Sequence, residues 1–334
     1  MQRREFMAAA AGALVGGTSG FVAGGKRRRT DRTDSGIATA DPHRIGAATF
    51  HEMRRFIQTE FGRIAYIERG SGPAALFLHG LPLNGFQWRG ALERLWPHRR
   101  CVAPDFMGLG YSEVPEGQSL SPAAQTGMVA ALLDALGVDA VDIVANDSGN
   151  TVAQLFVVQH PERVRTLLLT NGDVHENSPP PTVQGLIAAS HAGTFVDDVL
   201  VPQLEDPATA QLPTGLGGLC YTDPAFVTAE LLEVYMRPLV SPDLREVQFH
   251  RYCVELEPNP LLAIEQDLVR SPVPLRVVWG TGDHFFPTSS AEWLDRTFPE
   301  SRGVRWVEGA RLFFPEEMPD LIAEEARRLW GQDA

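Results

Sequence analysis

Residues 141–150 read Val-Asp-Ile-Val-Ala-Asn-Asp-Ser-Gly-Asn, an apolar run that passes straight into a helical pattern over 151–160. A strand that turns into a helix without a loop forces its apex residue into strained backbone geometry and presents that side chain at the strand's end. Such a bend needs small residues two places on either side of the apex. Ala145 and Gly149 meet that need around Asp147, whereas an apex at Ser148 would put Asn146 and Asn150 there. The apex group is therefore a carboxylate, Asp147, and a carboxylate so placed can attack carbon or carry a proton.

Two further segments point at the same spot. In His79-Gly80-Leu81-Pro82, after an apolar run at 74–78, a glycine lets the backbone approach the apex. The N–H groups of Leu81 and Ser148 then form a candidate oxyanion hole, donors aimed at developing negative charge. Trp279-Gly280-Thr281-Gly282-Asp283 sets a second carboxylate, Asp283, just past a late strand, where the acid partner of a nucleophile would stand. The glycine-rich loop 105–112 reads as a structural turn, and Phe86, Trp88, Phe285 and Phe286 as candidate lining of an apolar pocket.

These residues need a scaffold, and the hydrophobic pattern supplies one. Apolar runs at 74–78, 100–104, 141–145, 164–170, 275–279 and 304–307 have the signature of strands buried on both faces of a parallel sheet. Residues 54–59 and 63–69 alternate around Phe61-Gly62 as a hairpin. A helix starts at Ser121-Pro122, a cap followed by proline at the first helical position, and closes at Gly137. Stretches 289–298 and 319–330 are also helical. Strands and helices in alternation make an α/β domain with helices on both faces of the sheet. From 177 to 258 no buried strand is found, and Pro179-Pro180-Pro181 opens the interval, with helical stretches at 229–236 and 244–256. This insertion is expected to be a lid over the carboxyl ends of the strands, where open α/β sheets bind ligands.

Composition narrows the partners. The chain of 334 residues carries a formal charge of −13, unevenly spread. Residues 1–40 hold seven basic and three acidic groups, a net +4; the remainder holds 22 basic and 39 acidic groups, a net −17. So negative a body disfavours nucleic acid and anionic membranes and suits a small neutral or apolar substrate. Cys101, Cys220 and Cys253 lie far apart without metal-ligand spacing and read as core or near-core packers. No metal or organic cofactor is expected, since there is no His/Cys cluster and no phosphate-binding glycine fingerprint. Arg3-Arg4 before a weakly apolar Ala/Gly stretch is similar to a twin-arginine export signal, with Ala38-Thr39-Ala40 as a cleavage site. Residues 1–40 are thus expected to direct export to the periplasm or beyond, and to be a basic cytoplasmic tail if they are not a signal. No other segment could span a membrane.

The bend, the His-Gly-x-Pro loop, the late Asp and the insertion, in that order, resemble the α/β-hydrolase superfamily over about residues 50–334. The resemblance implies a mostly parallel eight-stranded sheet with helices on both faces and a helical lid. It is nearest to the haloalkane dehalogenases and epoxide hydrolases, which carry Asp at the bend. In that branch Asp forms an alkyl ester, which a histidine-activated water hydrolyses. This chain departs from the pattern at three places. Leu312 stands where the resembled enzymes have the catalytic histidine, in Glu308-Gly309-Ala310-Arg311-Leu312-Phe313-Phe314-Pro315. Leu81 and Ser148 stand where dehalogenases hold the leaving halide, so an epoxide fits better than a haloalkane.

His284 and His175 are the candidate replacement bases, with His250 in the lid a weaker one; His79 reads as structural. Asp173 is expected to cap the first turn of the lid. Tyr221, Tyr235 and Tyr252 fall in the lid, and the resemblance implies that lid tyrosines protonate an epoxide oxygen. Three readings follow: a hydrolase with Asp147 as nucleophile, an isomerase, lyase or cyclase in which Asp147 moves a proton, and a binding protein on the same scaffold.

Overall fold

Eight strands hydrogen-bond into one sheet in the order β1-β2-β4-β3-β5-β6-β7-β8 in the computed structural model, which describes residues 45–332. The expected export signal lies outside the described residues. The strands are β1 (Arg55–Thr59), β2 (Gly62–Arg69), β3 (Ala74–Leu78), β4 (Arg100–Pro104), β5 (Val141–Asp147), β6 (Val164–Gly172), β7 (Leu275–Gly280) and β8 (Ser301–Val307). β1 and β2 form the expected hairpin and meet β4 antiparallel; every other pairing is parallel. Every residue of β3 and β5 is buried, as their continuous apolar sequences require at the centre of a sheet covered on both faces.

One polar residue interrupts that centre at the end remote from the bend. Asp142 is buried, and accepts from Arg99 Nε and Arg165 Nη2 at 2.9 Å each and from the Thr166 hydroxyl at 2.9 Å. A buried carboxylate persists only with such partners. β8 corrects an expectation. It starts at Ser301, has β7 as its one neighbour, and no residue of it is fully buried; Trp306 is 41% exposed. Its run at 304–307 therefore belongs to an edge strand, and Arg302 and Arg305 guard that edge with charge.

Helices cover both faces. α1 (Arg89–Leu95) packs on the C-terminal helix, and α2 (Pro122–Ala135) packs on α3 (Gly149–Gln159). The Ser121 hydroxyl accepts the Ala124 N–H at 3.3 Å, and Gly137 just past the helix takes a left-handed φ of 63°. Between Gly172 and Leu275 there is no strand; this insertion includes α4 (Leu216–Cys220), α5 (Ala229–Tyr235) and α6 (Asp243–Val254). After β8 the chain forms α7 (Phe314–Glu317) and α8 (Pro319–Leu329).

The insertion is fastened to the loop after β8. Phe313 N–H donates to the Cys220 carbonyl at 2.9 Å, and the N–H groups of Thr222 and Asp223 donate to Glu317 at 3.0 and 2.9 Å. Beneath them, buried Glu316 accepts from the hydroxyls of Tyr221 at 2.5 Å and Tyr235 at 2.7 Å, and pairs with buried Arg89. No helix among the described residues is long and apolar enough to cross a membrane.

Candidate active site

Asp147 is the last residue of β5, and α3 begins two residues later. Its φ is +55°, a left-handed value that a side chain adopts only under constraint. Glycines make the bend feasible. A Cβ on Gly149 would fall 2.6 Å from the Leu78 carbonyl oxygen, and a Cβ on Gly80 would fall 2.6 Å from both Cβ and Oδ2 of Asp147. That close approach lets the Leu81 N–H donate to Asp147 Oδ2 at 2.7 Å. The Ser148 N–H is a second donor to the same carboxyl. Burial pushes this carboxyl up from 3.8 to about 7; the two N–H groups oppose the rise and the charge of Asp283 adds to it.

Polar side chains tie the surrounding loops together. Gln87 Oε1 accepts the Gly80 N–H at 3.0 Å, and its Nε2 donates to Asn146 Oδ1 at 2.6 Å. Asn146 Nδ2 in turn faces the Thr170 hydroxyl and the Asn171 carbonyl, both at 2.8 Å, and the Leu312 carbonyl at 3.0 Å. One amide thus connects the ends of β3, β5, β6 and the loop after β8. His79 is structural, as expected: its Nε2 accepts the Phe106 N–H at 2.9 Å and its Nδ1 lies 2.9 Å from the Gly80 carbonyl. The glycine-rich loop is held by Asp105, which accepts from the N–H groups of Gly85 and Tyr111.

Asp283 stands past β7. Asn171 Nδ2 donates to its Oδ2 at 2.7 Å and the Phe285 N–H to its Oδ1 at 2.8 Å. Burial again dominates and lifts this carboxyl to about 6, against those hydrogen bonds. Asn171 is itself fixed by Gly280, accepting its N–H at 2.6 Å and donating to its carbonyl at 3.0 Å. Leu312 is buried. The Cys220 thiol feels both Asp147 and Asp283, and burial followed by these charges raises it well above its ordinary value. Cys220 is buried in the hydrophobic core, as a packing cysteine should be.

The two candidate bases are not brought to Asp147. The His175 ring stacks on Trp293 with centroids 4.6 Å apart, and its Nε2 lies 3.4 Å from Glu265. The turn that pairs Val174 with Asn177 carries it away from the site. His284 is exposed, and burial and Arg311 lower its pKa; it diverges from Asp283 as adjacent residues at a strand end do. His250 accepts the Val196 N–H within the insertion. Of the three tyrosines, Tyr221 and Tyr235 are turned to Glu316, so the expectation that they reach a substrate is corrected: a buried carboxylate beside Arg89 claims both hydroxyls. Tyr252 does face the bend, its hydroxyl 3.1 Å from Ser148 Oγ. Phe86 packs between Phe50 and Tyr235, and Trp88 on Phe77, so both are core.

Asp173 also departs from expectation. Instead of capping a lid turn, its carboxyl lies near Ser178 and Thr151, whose hydroxyls favour its ionised form, and its N–H donates to the Asp147 carbonyl at 3.2 Å. Gln87, Asn146, Thr170 and Asn171 were not singled out in the sequence. The readable signal was polar side chains closing otherwise apolar strands, at Asn146 and at Thr170-Asn171.

A family profile described as alpha/beta hydrolase fold matches residues 73–204. Haloalkane dehalogenase 2 of Mycobacterium bovis is 33% identical over 285 residues, covering 80% of this chain and 92% of that protein. Epoxide hydrolase 1 of Caenorhabditis elegans is 35% identical over 291 residues, covering 82% of this chain and 69% of that one. Among solved structures, an α/β hydrolase fold protein from Burkholderia ambifaria aligns with a TM-score of 0.71 at 21% identity, covering 82% of this chain and 96% of that one. The epoxide hydrolase CorEH aligns at 0.67 with 20% identity, covering 83% and 98%. With the strand order, the bend at Asp147 and relatives matched along most of their length, the chain belongs to the α/β-hydrolase family and is a hydrolase of the branch related to haloalkane dehalogenases and epoxide hydrolases.

Proposed function

We propose that the protein hydrolyses a small apolar epoxide through an ester formed on Asp147. The observation that carries this reading is the strained Asp147 backbone, with its carboxyl accepting the Leu81 N–H at 2.7 Å. In the ester-forming step a carboxylate oxygen attacks a ring carbon, the carbon–oxygen bond of the epoxide opens, and the released oxygen takes up a proton, so a hydroxyalkyl ester remains. Water then adds to the ester carbonyl, whose oxygen becomes an oxyanion facing the N–H groups of Leu81 and Ser148. An epoxide is favoured over a haloalkane because Leu81 and Ser148 offer no side-chain N–H to a departing halide. The similarity to epoxide hydrolase 1 of Caenorhabditis elegans supports the same choice.

Single-turnover reaction in H₂¹⁸O, followed by peptide mass analysis, tests the proposal. Label in the Asp147 carboxyl, and loss of both label and turnover in Asp147→Asn, is the expected result. Turnover that survives Asp147→Asn would remove the mechanism. A second reading is supported by one observation: the Asp147 carboxyl titrates near 7 and has no imidazole among its hydrogen-bond partners. Such a group can move a proton in an isomerisation or ring closure, and turnover without ¹⁸O entering Asp147 would favour that alternative.

A further inference from the structure

The buried carboxyl of Asp173 has no task in the steps above. It is 4% exposed, and its Oδ1 has no hydrogen-bond partner. Orphaned polar atoms are rare in folded proteins and call for a reason. Asp173 follows Gly172, which pairs with Asp147 across β5 and β6, and its N–H donates to the Asp147 carbonyl. The two residues therefore lie at neighbouring strand ends, near enough for the charge of Asp147 to act on the Asp173 carboxyl. Besides Asp147, Tyr252 of α6 also feels Asp173. That hydroxyl already lies against Ser148, and burial makes it harder to ionise than an ordinary tyrosine.

We propose that Asp173 is a catalytic residue that serves first as the acid and then as the base of epoxide hydrolysis, in place of the absent histidine. This rests on the reading of Asp147 as nucleophile. In the first step an Asp147 oxygen bonds to a ring carbon, the ring carbon–oxygen bond breaks, and the epoxide oxygen takes the proton of the Asp173 carboxyl. The products are a hydroxyalkyl ester on Asp147 and an Asp173 carboxylate. In the second step that carboxylate takes a proton from water while the water oxygen adds to the ester carbonyl. Collapse of the tetrahedral intermediate releases the diol oxygen, which takes that proton from Asp173; the second water proton, left on the new Asp147 carboxyl, then passes to Asp173, so Asp147 ends as the carboxylate and Asp173 as the acid. The sum is epoxide plus water to diol, with no oxidant or further reactant.

The chemistry suits the surroundings. Burial, and next the charge of Asp147, keep Asp173 protonated well above the usual carboxylate range, while the Ser178 and Thr151 hydroxyls work in the opposite direction. A carboxyl that holds its proton at neutral pH can donate it, and once ionised is a stronger base than an exposed carboxylate.

The test uses styrene oxide with the full chain, Asp173→Asn and Asp147→Asn, reading diol formation and intact mass. Wild type should form diol, and Asp147→Asn should form neither diol nor adduct. Asp173→Asn should lose roughly 10²–10⁴-fold in turnover, the usual contribution of acid–base catalysis, and its slowly formed adduct should persist. An Asp173→Asn protein within a few-fold of wild type would overturn this inference and leave the Asp147 reading intact. Activity in Asp147→Asn, or a wild type that gives neither diol nor added mass, would overturn that reading instead. Should Asp173→Asn not fold, Ser178→Ala decides. Loss of a hydroxyl that favours the ionised carboxyl should move the high-pH limb of turnover upward, and an unchanged pH profile would refute the role.

Discussion

Replacing Asp147 by Asn should make the protein more stable, in a manner that depends on pH. The carboxyl ionises at about 7 in the folded protein against an ordinary 3.8. Between those two values the folded state retains a proton that the unfolded chain has released, so stability falls as pH rises through the interval. Roughly three tenfold steps in proton affinity, at 1.36 kcal/mol each, come to about 4 kcal/mol once the pH exceeds 7. Asn keeps the shape, stays neutral at every pH, and can offer its amide oxygen to the Leu81 N–H. The variant and the wild type should therefore melt together near pH 3.5. At pH 8.5 the variant should melt higher by roughly 10 °C, taking about 2–4 °C per kcal/mol for a domain of this size. Relief of Asp283, which repels Asp147, acts in the same direction. Thermal melts of both proteins across that pH range give the answer. An offset that is constant with pH, or a variant less stable at pH 8.5, would refute the claim that burial of this charge strains the fold.

Other outcomes follow from the same geometry. Gly80→Ala sets a methyl 2.6 Å from Asp147 Cβ and Oδ2, and the displaced carboxyl should lose on the order of 10²-fold in ester formation, read by single-turnover kinetics. Glu316→Gln leaves buried Arg89 without its counter-charge and should cost about 3–5 kcal/mol by chemical denaturation; a loss under about 1 kcal/mol would show the pair to be dispensable. In an Asp173→Asn background, Leu312→His should clear a trapped ester roughly 10²–10⁴-fold faster, measured as decay of the adduct mass, because an imidazole would then stand at the position where the resembled enzymes carry their base.

The strands were legible because fully buried parallel strands need continuous apolar sequence; 74–78 and 100–104 agree with β3 and β4 to the residue. β8 was half legible: valines at 304 and 307 give a strand, but an edge position depends on what lies beside it, which local sequence does not encode. Asp147 could be read because its bend is a local event, dictated by neighbours two residues away. The surroundings could not. His175 and His284 lie close in sequence to strand ends, yet one side chain faces Trp293 and the other solvent, directions that sequence proximity does not encode. Tyr221 and Tyr235 went to Glu316, about 95 and 81 residues away along the chain, and partnerships at that range leave no periodic trace. Asn146 and Asn171 carried a trace that composition alone undervalues: an amide ending a buried strand must satisfy its hydrogen bonds on other segments.

The Asn146 amide has a consequence for energetics beyond its bond list. Loops from separate strands converge on one small side chain whose own hydrogen bonds are satisfied within the protein. The reactive carboxyl and its donors are thereby precast, so an arriving molecule spends little of its affinity on assembling them. What it gains on contact remains available for the climb to the transition state, and a shape that misfits meets a wall with little capacity to yield.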